Sequence, residues 1–217
     1  MASVTNQLPG IYSLQGLIPP ARIMRFFRAA GRDAQRALEL HDWNEAVGAA
    51  FYPLLQKVEL ALAVKVESAM AAVYGPEWFA DPAFLRAADY ATRIEIAATR
   101  RRLMAAERLV DANGMMDKAS FGLWVGLLRP IFNPPVWMTR LSTAFPSLPR
   151  GVGRHDLAQL ASAAAFLRNR IDHHEPLIRL DLSACLADIR TLLTWIDPAL
   201  AARADGKGIQ LLLREKP

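Results

Sequence analysis

Two of the chain's four histidines, His173 and His174, stand side by side with three residues between them and the pair Arg168-Asn169, in the stretch from Phe166 to Pro176. An imidazole titrates near neutral pH and can take or give a proton, and a guanidinium offers a fork of donors to phosphate. No other stretch of the chain gathers so many polar residue types of the kind catalysis uses. On an ideal helix Arg168 and His173, five apart, lie about 140° round from one another, whereas Asn169 and His173, four apart, share a face. The long Arg168 side chain can swing toward that face. Pro176 pushes Glu175 out of helical geometry, so the helix is expected to end or unwind here. A second reading stands beside this one. Arg168, Arg170, His173 and His174 fall in the last turns of the expected helix, where cations offset the negative end of its dipole. That accounts for the sign of the charge, but not for the interleaved Asn169, Asp172 and Glu175.

Other chemistries lack their residues. Adjacent histidines on a helix point about 100° apart, and no His-x-x-x-His pair occurs. The one cysteine, Cys185, rules out a disulfide framework and a cysteine zinc site. There is no Gly-x-Ser-x-Gly elbow, Walker loop or dinucleotide fingerprint. Neither a metal nor a cofactor is expected.

The elements that must position the block read as helices throughout. Residues 1–20 are turn-rich and read as an arm. From Ala21 the apolar residues Ile23, Phe26, Phe27 and Ala30 recur at helical steps. Arg25, Arg28, Arg32 and Arg36 follow the same step, and form one basic stripe if the helix continues through Gly31: a solvated face, or one that contacts phosphate. Asp42 to Tyr74 has the longest periodic face, with Pro53 expected to kink or divide it and Gly75-Pro76 to end it. Asp81-Pro82 restarts a helix as cap and first residue. A second long helix is expected over Ala88–Asn113, closed by Gly114 and carrying Arg100, Arg101 and Arg102. An apolar segment, Asp117 to Phe132, is stopped by Asn133-Pro134-Pro135, and a short helix follows over Val136–Phe145. The final pair covers Arg154 to about His174 and Asp181 to about Ile196, leaving 199–217 as a tail. No alternating strand pattern, repeat or low-complexity tract is visible. The expected fold is all-α, an irregular bundle forming one domain over 21–198.

Of 217 residues, 53% are hydrophobic and 22% charged, which excludes disorder by composition. Lys and Arg number 26 against 21 Asp and Glu, a net charge of +5. Only five of those cations are lysines, and an arginine-weighted surface is compatible with nucleic acid, although base composition of the genome gives the same bias. The most apolar runs, Gly122–Leu128 and Leu157–Leu167, fall short of the roughly 18 residues that span a bilayer. The first residues lack the features of a signal peptide. A cytoplasmic protein without a membrane partner is expected.

The segment Leu167-Arg-Asn-Arg-Ile-Asp-His-His-Glu-Pro-Leu177 resembles the Arg-Asn-x-x-x-His motif of the HEPN superfamily, in the form carried by the Abi-like (abortive infection) family. Further landmarks resemble that family in the same order: Ala37 to Asn44, Phe51 to Glu59, Tyr74-Gly75 with Trp78, Ser120 to Trp124, and Phe145-Pro146. The resemblance runs from about Ala21 to Pro198. The chain departs from it at Ala63-Val64, where the family continues with an Arg-Asn pair. The resemblance implies a HEPN-type helical bundle with an N-terminal helical extension. It also implies a metal-independent endoribonuclease, a toxin of phage defence, acting as a homodimer whose two motifs form one site. His173 is then the general acid/base, Arg168 the phosphate clamp and Asn169 the orienting group. Asp172, His174 and Glu59 support them, and Arg100, Arg101 and Arg170 contact RNA. Implied partners are RNA, a second copy, and an antitoxin or small RNA. Two other function classes fit the same sequence: a non-catalytic RNA-binding module, and a helical protein-interaction subunit whose polar block only caps a helix.

Overall fold

Every regular element among the described residues is helical, in a computed structural model that describes residues 20–217. The chain forms two compact units. The first holds the described residues through Pro53 together with Arg168–Ala184 and Asp205–Pro217, and the second holds Leu54–Leu167 and Cys185–Ala204.

In the first unit, helix α1 (Pro20–Ala29) ends sooner than the stripe of arginines requires. Gly31 and Arg32 take left-handed backbone angles, φ 67° and 72°, and Arg32 N–H donates to Phe27 O at 2.8 Å. This closes α1 before Arg32, so the expected continuous stripe is broken. Asp33 then caps helix α2 (Ala34–Tyr74), its carboxylate accepting from Arg36 N–H at 2.9 Å. Ile23, Phe26 and Ala30 of α1 pack on Ala37 and Leu40 of α2 to form the core here. The expected tail is not a tail: α11 (Lys207–Arg214) is helical, and Trp43 Nε1 donates to its Leu212 O at 2.7 Å.

Helix α2 is a single rod of 41 residues, starting eight residues before Asp42 and passing through Pro53 without division. Pro53, Tyr52 and Ala49 are all exposed, so water can reach the carbonyl that the missing N–H leaves unbonded. An 18-residue window of α2 reaches a mean hydropathy of 1.3, enough by length and composition to cross a membrane and more than the shorter runs considered above. One face of it, including Val47, Phe51, Leu55, Val58, Leu62, Val66 and Met70, is nevertheless buried in protein, while Tyr52, Leu60 and Val64 are exposed.

The second unit is built around aromatic rings: Trp78 meets Phe84 at 5.1 Å and Trp124 at 6.2 Å, and Phe84 stacks on Phe132 at 5.7 Å. Asp81-Pro82 opens α3 (Pro82–Ala87) as expected, Asp81 accepting from Phe84 N–H at 2.8 Å. The helix expected over 88–113 is two. Helix α4 (Tyr90–Ala105) stops where Glu107 turns left-handed, and Asp111 caps α5 (Ala112–Lys118). Gly114 closes nothing: it lies inside α5, where a Cβ would sit 2.4 Å from Leu109 O. Helix α6 (Phe121–Gly126) is capped by Ser120. The prolines that were to stop the chain instead form a π-helical turn, Asn133–Trp137, which runs into α7 (Met138–Ala144). Helices α8 (Arg154–Asp172) and α9 (Leu182–Ile196) match the expected pair, and α10 (Pro198–Ala202) follows.

Candidate functional site

The Arg-Asn…His block lies at the very end of α8, where the carbonyls lose their helical partners. A double hydrogen bond closes this end: His174 N–H donates to Ile171 O at 2.9 Å and Glu175 N–H to Arg170 O at 2.8 Å. His174 occupies the left-handed position of that motif, φ 51°, where glycine is usual. His173 is the helix-terminal residue before it, its N–H bonded to Asn169 O at 3.0 Å. Its carbonyl accepts from Arg22 Nη2 of α1 at 3.4 Å. The His173 backbone is thus held from two sides while its imidazole is exposed.

One helical turn joins Arg168 to Asp172, an i,i+4 ion pair with both side chains mostly covered. The pair fixes the guanidinium on the α8 surface, one turn back from His173. Asn169 is exposed beside it. Arg170 locks the turn, pairing with Glu175 at 3.1 Å and donating to Pro176 O at 2.7 Å. Beyond the turn, buried Asn44 of α2 accepts Leu177 N–H at 2.6 Å, which ties the strand of loop after the motif to the first unit's core.

A cleft of about 510 Å³ opens within this unit, with Arg22, His41, Glu45, Asp172, His174 and Glu175 on its walls. Asp172 and His174 therefore share one cavity. His41 is buried against the Phe26 ring at 5.2 Å and lies 3.4 Å from Asp42 and 3.9 Å from Glu45. These three are the set whose ligand atoms lie within 4.8 Å of one another, and so the group among the described residues that could hold a metal. The imidazole already has a carboxylate partner, and Asp42 and Glu45 are solvated, so the geometry is satisfied without an ion. A second pocket of about 330 Å³ is lined by Arg25 and Arg28 of α1 and by Arg170 and Arg179.

Glu59, half-buried on α2, and Arg100 and Arg101, on α4, belong to the second unit. Arg22, His41 and Asn44 are the site's neighbours that residue types alone did not single out. Asn44 and His41 do fall within the Ala37-to-Asn44 landmark, whereas nothing local marks Arg22. No family model matches the chain, and no curated protein or solved structure does either.

Proposed function

We propose that this protein is a metal-independent endoribonuclease of the HEPN type, a toxin of phage defence that works as a homodimer. The observation that carries the reading is the grouping of Arg168, Asn169, Asp172 and His173 on the last turns of α8, with the His173 backbone held and its imidazole open to solvent.

In the reaction, His173 accepts the proton of an RNA 2′-hydroxyl, and the 2′ oxygen forms a bond to the adjacent phosphorus. The bond from phosphorus to the 5′ oxygen breaks, and that oxygen takes a proton from an imidazolium, the partner's His173 in a composite site. The products are a cyclic phosphate and a 5′-hydroxyl. Arg168 lies against the phosphate oxygens and stabilises the charge that develops on them. Asp172 limits the swing of the guanidinium, and Asn169 orients the imidazole or the phosphate. No step uses a metal.

Purified protein in the presence of EDTA is expected to cut single-stranded RNA and leave cyclic phosphate ends. His173→Ala is expected to slow cutting by about 10²–10⁴-fold, the range of a general acid/base. Cutting at the parent rate by His173→Ala overturns the reading. Salt-sensitive RNA binding with no cut product at any protein concentration favours instead the non-catalytic RNA-binding module, for which the arginine-lined pocket is the supporting observation.

A further inference from the structure

We infer that the pocket lined by Arg25, Arg28, Arg170 and Arg179 binds the phosphodiester backbone of single-stranded RNA beside His173. The choice of RNA rests on the ribonuclease reading, to which this adds a substrate-holding site separate from the reacting groups.

The pocket is overcharged as it stands. Arg170 is balanced by Glu175. Arg25, Arg28 and Arg179 are exposed and pair with no carboxylate among the described residues. Three positive charges therefore meet around one cavity of about 330 Å³. Like charges so placed repel, and an entering anion removes that repulsion as well as gaining forked hydrogen bonds. The dipole of α1 accounts for Arg28 in its last turn but not for Arg25, four residues from the end, or Arg179 on the loop.

The layout suits a linear polyanion. Arg25 and Arg28, three apart, share a face of α1. Arg22, a further three residues back, holds the His173 carbonyl. Arg22 and Arg28 are about 9 Å apart along the axis, so one short helix runs from the reacting histidine to the pocket. Arginine rather than lysine lines it throughout, and Pro176 and Ile178 add apolar surface for ribose and base faces.

The test uses the full chain carrying His173→Ala, so that RNA survives the measurement, and a short labelled single-stranded RNA as probe. Adding Arg25→Ala, Arg28→Ala and Arg179→Ala together is expected to weaken binding by at least roughly tenfold, the loss of one or more charge-assisted hydrogen bonds. The plot of log affinity against log salt should become shallower by about 2, from three contacts at about 0.7 each. The corresponding triple lysine variant should keep the salt slope, which separates lost charge from lost fold. Parent-like RNA binding by the triple alanine variant overturns the inference, as does binding of poly-glutamate or phosphatidylserine vesicles in place of RNA. The two readings fail separately. If RNA binding depends on the three arginines but the unsubstituted chain cuts nothing, the pocket stands and the ribonuclease reading falls. If the unsubstituted chain cuts RNA and the alanine variant binds like its parent, only the pocket falls.

Discussion

His174 stands in a backbone conformation that costs a residue with a Cβ about 1–2 kcal/mol, one residue after the proposed acid/base. Strain of this kind gathers where a side chain is wanted for something other than stability. His174→Gly is therefore expected to raise stability by about 1 kcal/mol, measured by urea denaturation, and to slow RNA cutting if the imidazole in the cleft serves the reaction. Asn44 is the opposite case. Its carboxamide oxygen is the partner of a buried backbone N–H, 133 residues away in sequence. Asn44→Ala leaves that donor without an acceptor and should cost about 1–3 kcal/mol, visible in the same titration. The Arg168–Asp172 pair was not singled out from the sequence, although its i,i+4 spacing on one helix is a local pattern. The hold of Arg22 on His173 has no local pattern, because it joins residues 151 apart.

At the scale of elements, Asp81 was read as a cap from the sequence, whereas Asp111 and Ser120 were not, although each likewise accepts a backbone N–H three residues on. Asp89 does the same for α4, and its hydrogen bonds from Thr92, with Arg129 beside it, hold its carboxyl below the ordinary value of 3.8. A carboxylate with a lowered folded pKa stabilises the fold above the unfolded value and loses that contribution as pH falls through the folded one. Asp89→Ala should thus cost about 1 kcal/mol at neutral pH, and its gap from the parent chain should close as pH falls below 3.8. Thermal melts of both chains across acid pH check this. Helix interiors were read less well. Pro53 was expected to kink or divide its helix and does not divide α2, and the helix whose continuation through Gly31 was left open ends before it. Propensity penalises both residues and both are exposed; what separates them is the left-handed backbone at Gly31 and Arg32, which closes α1.

For the molecule as a whole, the composite-site proposal predicts a dependence on protein concentration. Cutting per chain should fall on dilution as a dimer dissociates, in step with the dimer fraction measured by light scattering. A rate per chain that stays constant through dissociation would show that one copy suffices. The sequence by itself determined the all-helical class, because periodic apolar faces and side-chain caps act within about four residues of one another. It also placed Arg168, Asn169, Asp172 and His173 on one helical end, since Pro176 forces the helix to stop. Only the tertiary structure decided that Asn44 would anchor the loop after the motif, that α11 would close on Trp43, and that Arg25, Arg28 and Arg179 would line one pocket. Such meetings join residues far apart along the chain. They are selected by the summed burial of a whole core against the entropy of closing the loops between them, a balance no local pattern contains.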